Sequence, residues 1–99
     1  MSDYGYSQLK TFLPDVAKDP KSIESFALSW AQELDGDTIS TSVWDGDGLS
    51  VNSNSKTDSA VTVVLSGGTK GRHYAVENTI TTSGGETLVK SLVVSVAEQ

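Results

Sequence analysis

The chain has 99 residues, a formal net charge of −6 and no cysteine. This length suits one domain, and the lack of cysteine excludes disulfide bonds and cysteine-ligated zinc. The acidic balance argues against a surface that binds phosphates, so we expect no nucleic-acid partner.

The sequence also lacks the patterns of a membrane or exported protein. No apolar run is long enough to span a bilayer, and residues 1–20 lack a basic start followed by an apolar core. We therefore expect no membrane partner and no signal peptide. No cofactor motif is present, since the glycines of residues 67–71 lack the Gly-Lys-Ser/Thr ending of a phosphate loop.

Residues 1–22 form a predicted N-terminal arm ahead of a domain at residues 23–99. The arm is too apolar for an ordinary disordered tail, and Pro14 interrupts any continuous helix in it. It either packs on its own domain or docks on a neighbouring protein. In the second case its apolar side chains are candidate partner-binding residues: Tyr4, Tyr6, Leu9, Phe12, Leu13 and Val16.

Two strands are predicted in the first part of the domain. Apolar residues alternate with small ones across residues 26–30, which predicts a strand with one buried face. The second strand is predicted at residues 38–44, with Val43 on its inner side and Trp44 at an edge or a bulge. Asp-Gly turns precede and follow this strand.

The rest of the domain continues the alternation of strands and turns. A short third strand begins at Leu49, and the polar residues 52–59 predict a loop. Further strands are predicted at residues 60–66 and 87–97. Turns recur about every 8–12 residues, as is typical of a β-sandwich.

The stretch Gly67–Gly85 is the predicted central strand, bounded by two glycine turns. Tyr74, Val76, Asn78 and Ile80 share one parity and therefore one face. Tyr74 follows the first turn, which predicts a tyrosine corner whose hydroxyl bonds to the backbone upstream. We predict an all-β, immunoglobulin- or fibronectin III-like β-sandwich of six to seven strands. Its predicted core consists of Phe26, Leu28, Trp30, Ile39, Val43, Val61, Val63, Leu65, Tyr74, Val76, Ile80, Leu92, Val94 and Val96.

Chemical sites are not evident. Asp35, Asp37, Asp45 and Asp47 could suggest calcium, but their spacing lacks the other ligands of a calcium loop and fits two Asp-Gly turns. His73 is the only histidine, and no nucleophile elbow accompanies it. We therefore predict no metal site, no catalytic residues and no enzymatic activity.

Two valines of the last strand are further candidate partner-binding residues. Val89 and Val93 have the parity of the outer face. Scattered surface valines are common in soluble proteins. Neighbouring exposed apolar side chains also mark subunit contacts, so both interpretations stay open.

Several segments together resemble a known family. They are KDP at residues 18–20, LSW at 28–30, GDTISTSVW at 36–44, LSGGT at 65–69 and NTITTSGG at 78–85. In this order and spacing the chain resembles the small immunoglobulin-like phage proteins described as fibre–tail adaptors, over about residues 18–97. The resemblance implies a structural protein located in the virion that joins tail or fibre components. We therefore expect other virion structural proteins as partners, and a homo-oligomer in the particle.

Two alternative functions stay open from the sequence. A capsid decoration or head–tail joining protein could share the same fold. A carbohydrate-binding module is a different class of function, in which Trp44 and tyrosine side chains would stack on sugar rings.

Overall fold

The structure is a computed structural model that describes residues 15–97. Within this range seven strands form two sheets, of order β1-β7-β6-β3 and β2-β5-β4. β1 is parallel to β7, and the other neighbours are antiparallel. The predicted all-β sandwich is confirmed. The elements are β1 (Asp15–Lys18), β2 (Ile23–Ser29), α1 (Ala31–Leu34), β3 (Ile39–Asp45), β4 (Ser50–Lys56), β5 (Ala60–Ser66), β6 (His73–Thr82) and β7 (Thr87–Val96).

The hydrophobic core lies between the two sheets and is built from alternate residues of the strands. In β5 and β6 the inward side chains are buried and the intervening ones are more exposed, which is the period-2 pattern of a half-buried strand. All the predicted core side chains are buried or pack against the core, with Val43 as the exception. Leu34 and Leu49 join the core although the alternation does not predict them.

The prediction that Val43 is a core residue is wrong, because its side chain is 64% exposed. The pairing of β3 with β6 shifts register between Ile39 and Thr41. One extra residue in a strand moves every following side chain to the opposite face. Val43 therefore points outward, and Trp44 turns inward and packs against the core.

The tyrosine corner is confirmed at the start of β6. Tyr74 is buried, and its hydroxyl accepts a hydrogen bond from the backbone N–H of Thr69 at 2.8 Å. Hydrogen bonding to Thr69 lowers the pKa of the Tyr74 phenol, because these bonds favour the charged form. The contact fixes the turn between β5 and β6 on the end of the sandwich.

Two segments differ from the sequence prediction. Most of the loop predicted at residues 52–59 belongs to β4, whose backbone pairs with β5 although its side chains are mostly exposed and polar. Residues 31–34 form the single helical turn α1, which ends at Asp35 in the left-handed region with φ 50°. Backbone pairing and a helical turn of this length leave little trace in side-chain periodicity.

The C-terminal part of the predicted arm lies inside the sandwich. Asp15–Lys18 forms β1 and pairs with Val93–Val96 of β7. The Lys18 side chain is fully buried, and its Nζ donates to the backbone carbonyls of Asp19 at 2.9 Å and Gly67 at 2.8 Å. These bonds satisfy a buried cation and fasten β1 to the turn that follows β5.

Candidate partner-binding surface

The predicted partner-binding residues fall into three groups. Val16 lies in β1, where it is half-buried and packs against the core. Val89 is 55% exposed, and Val93 is half-buried on the same sheet. The remaining five lie outside the described residues: Tyr4, Tyr6, Leu9, Phe12 and Leu13.

The outer face is the surface of the β1-β7-β6-β3 sheet that is turned away from the core. On it, cross-strand neighbours of β3, β6 and β7 form straight rows. Val43 pairs with Thr79, which in turn pairs with Val89. We call these three residues the valine row. It brings together the two most exposed large apolar side chains of this sheet, at 64% and 55%.

Two further rows flank the valine row on the outer face. The threonine row consists of Thr41, Thr81 and Thr87. The acidic row, on the other side, consists of Asp45, Glu77 and Ser91.

The valine and threonine rows together form an uncharged patch of β-branched side chains on an acidic protein. Such side chains are stiff at χ1, so they present a surface that loses little side-chain entropy on contact. An exposed apolar patch of this kind marks an interaction site more often than an isolated surface valine does.

Sequence reasoning finds Val89 on this surface but misses Val43. The reason is the bulge between Ile39 and Thr41, because it moves the following side chains of β3 to the opposite face. Val93 lies on the same face but outside the valine row, between Ala75 of β6 and Asp15 of β1. Because β1 covers this edge of β7, Val93 offers less surface to a partner than Val89.

His73 lies at the far end of the same face and contacts a serine. Its Nδ1 is 2.7 Å from Ser95 Oγ, and the Ser95 hydroxyl donates to Asp15 Oδ1 at 3.3 Å. In a catalytic triad the carboxylate orients the histidine, and the histidine takes the serine proton. Here the carboxylate bonds to the serine instead. The cluster is exposed and links β1, β6 and β7.

Aspartates of the two Asp-Gly turns accept hydrogen bonds from backbone N–H groups. Asp37 accepts from the backbone N–H of Thr38 at 2.8 Å and of Gly84 at 3.1 Å. These bonds, led by the one from Thr38, lower the pKa of the Asp37 carboxyl. Asp47 accepts from the backbone N–H of Ala75 at 2.9 Å. Within residues 15–97, no group of three or more His, Cys, Asp or Glu side chains could hold a metal ion.

Of the aromatic side chains proposed for sugar stacking, Tyr4 and Tyr6 lie outside the described residues, whereas Trp44 and Tyr74 face the core. Trp44 is half-buried on the inner side of β3, and Tyr74 is buried in the tyrosine corner. Neither presents an open ring face to solvent as a sugar platform requires. No helix in the described part of the chain is long and apolar enough to cross a membrane.

A solved structure with a similar fold is the solution structure of the PKD domain from KIAA 1837 protein. The TM-score is 0.54 at 21% sequence identity, and the match covers 87% of this chain and 82% of that chain. At this identity the likeness shows the fold alone, and it confirms the predicted immunoglobulin-like sandwich. No curated protein matches the chain significantly.

A family model matches residues 18–95, which is nearly the whole sandwich from the end of β1 to β7. The family is described as podophage GP4 fiber-tail adaptor protein gp77. The predicted resemblance, over about residues 18–97, is confirmed with almost the same bounds. This chain therefore belongs to the podophage fibre–tail adaptor family.

Proposed function

We propose that this protein is a bacteriophage structural protein that joins tail and fibre components within the virion. The observation that supports this function most strongly is the family match over residues 18–95. The match spans nearly the whole sandwich, so the shared feature is the domain and not one motif. An adaptor needs surfaces for at least two neighbours, and the chain offers two candidates.

The first candidate surface is the N-terminal segment, residues 1–14. It contains Tyr4, Tyr6 and Phe12, and aromatic anchors of this kind supply much of the binding energy of protein interfaces. The buried hydrophobic cluster of the described domain is built from residues 28–96, each at most 8% exposed. We propose that residues 1–14 dock on a neighbouring virion protein. Val16 is not part of this surface because it packs against the core.

The second candidate surface is the outer face with Val43 and Val89. It lies on β3, β6 and β7, whereas the N-terminal segment joins the sheet at β1. The two surfaces could therefore contact different neighbours at once. We also propose that the protein is not an enzyme, because within residues 15–97 the carboxylate of Asp15 accepts from Ser95 and does not orient His73.

Particle incorporation tests this function. Phage carrying a protein that lacks residues 1–14 should assemble particles without it, and those particles should lack the fibre components that it joins. A matched control is Ile23→Ser, which removes an exposed apolar side chain from the other sheet. Normal incorporation of the truncated protein would contradict docking through the N-terminal segment. Particles that never contain the wild-type protein would contradict the adaptor function.

A further inference from the structure

The outer face has a charge pattern that suits contact with a second copy of this chain. The threonine row has no charge, whereas the acidic row holds Asp45 and Glu77, both exposed. The valine row lies between them. The face thus has an acidic side, an apolar line and a neutral hydroxyl side, in parallel rows about 7 Å apart.

We infer that two copies of this protein pack outer face to outer face about a two-fold axis that runs along the valine row. This arrangement brings Val43 against Val43 of the second copy, and Val89 against its own counterpart. It also brings the threonine row of one copy over the acidic row of the other, twice by symmetry. Threonine hydroxyls can then donate hydrogen bonds to the carboxylates of Asp45 and Glu77.

The charges distinguish this axis from a two-fold axis that runs along the strands. An axis along the strands would place the acidic row over itself and bring Glu77 against Glu77 of the second copy. Like charges opposed in an interface disfavour the complex. An axis along the valine row avoids that repulsion, and it also buries the two exposed valines.

The size of the patch predicts a weak contact. Three rows on three strands cover roughly 300 Å² per copy, against about 800 Å² per partner in a stable interface. The pair should therefore form at high protein concentration, or in a particle where other contacts hold the copies close together. This inference deepens the proposed adaptor function, since it names one partner of the second surface.

The experiment measures self-association of the full-length protein by sedimentation equilibrium up to about 1 mM. The wild type should form a dimer in this range. Val43→Lys and Val89→Lys should each weaken the dimer by at least about tenfold, because each places two ammonium groups in contact across the axis. The matched control is Ile23→Lys, at a side chain 65% exposed on β2 of the other sheet, which should leave the dimer unchanged. Thermal unfolding of each variant confirms that it is folded.

A charge-exchange pair tests the register of the contact. Thr81→Glu should weaken the dimer because the new carboxylate faces Glu77 of the second copy. Adding Glu77→Lys in the same chain should restore it, since each new glutamate then faces a lysine. Within one chain the two positions are four residues apart along β6, roughly 13 Å, so an intramolecular pair cannot mimic this rescue.

A wild-type monomer throughout the range would overturn the inference, as would a dimer that survives both valine substitutions. Failure of Glu77→Lys to rescue Thr81→Glu would overturn the proposed axis. These outcomes are independent of the adaptor function, which particle incorporation tests. If the protein is monomeric but still enters particles, the two-fold contact is wrong and the adaptor function stands.

Discussion

Asn78 Oδ1 accepts a hydrogen bond from Trp30 Nε1 at 2.9 Å, and this contact joins the two sheets across the core. The Asn78 amide nitrogen donates to Ser42 Oγ at 2.9 Å and to the carbonyl of Val43 at 3.1 Å. Asn78 and Trp30 are both buried. Asn78 therefore forms hydrogen bonds with three polar groups inside the sandwich. Two of these bonds connect the bulged strand β3 to β6.

The first prediction concerns this amide. Asn78→Leu should lower the free energy of unfolding by about 1–3 kcal/mol, because it leaves the Trp30 N–H buried without an acceptor. Chemical denaturation measures the change. Asn52→Ala is the control, since Asn52 is exposed and accepts a hydrogen bond from the Ser66 hydroxyl at the surface. Equal stability of Asn78→Leu and the wild type would show that the amide does not hold the sheets together.

The second prediction concerns the tyrosine corner. Tyr74→Phe keeps the ring in the core but leaves the Thr69 N–H without its acceptor. The melting temperature should fall by roughly 4–8 °C. Because the Val76 side chain is apolar and fully buried, Val76→Ala serves as a comparison for simple loss of packing in the same strand. An unchanged melting temperature in Tyr74→Phe would contradict the role given to this hydrogen bond.

The third prediction separates the N-terminal segment from β1. Deletion of residues 1–14 should leave the melting temperature nearly unchanged, because the buried hydrophobic cluster is built from residues 28–96. Deletion of residues 1–18 should lower it by roughly 10 °C, since it removes β1 and the buried Lys18. Thermal unfolding of the two truncated proteins measures the difference. If removing residues 1–14 alone unfolds the domain, those residues belong to the core and do not dock on a neighbour.

The fourth prediction concerns acid stability at Asp37, which lies between α1 and β3 and accepts from the backbone of Thr38 and Gly84. The folded-state pKa of Asp37 lies below its unfolded value, chiefly because of the hydrogen bond from the Thr38 N–H. Its contribution to stability is therefore present above pH about 4 and is lost as the pH falls through the lower, folded-state pKa. The free energy of unfolding, measured from pH about 5 to pH about 2, should fall less steeply in Asp37→Ala.

The matched variant at this position is Asp37→Asn. Its amide oxygen can still accept one of the two backbone N–H groups, from Thr38 or Gly84, but it cannot titrate. It should share the flatter acid dependence of the alanine variant and be the more stable of the two at pH about 7. An acid dependence identical to that of the wild type in both variants would show that Asp37 is not the titrating group.

The sequence predicts the sandwich well because period-2 alternation reports directly which face of a strand is buried. β5, β6 and β7 follow that alternation without interruption, so their core residues and the tyrosine corner are predicted correctly. The bulge in β3 is one residue long and has no glycine or proline to mark it. Val43 is therefore placed on the wrong face, and one of the two exposed valines of the valine row is missed.

Lys18 shows a second limit of the sequence prediction. A lysine at the end of an arm is expected in solvent, because a charge is costly to bury unless it is paired or hydrogen-bonded. Its two partners are backbone carbonyls of Asp19 and Gly67, and carbonyl positions cannot be read from residue types. The rows of the outer face are likewise not predicted from the sequence, because they depend on the strand register and join residues that are far apart in the chain.

A reconstruction of the assembled phage particle tests the central claim, that this protein is a structural adaptor of the virion. At a resolution that separates the two β-sheets, copies of the sandwich should be visible at the junction between tail and fibre. Another virion protein should lie against residues 1–14 of each copy. Absence of the sandwich from the particle, or its presence only on the capsid shell away from the tail, would contradict the account.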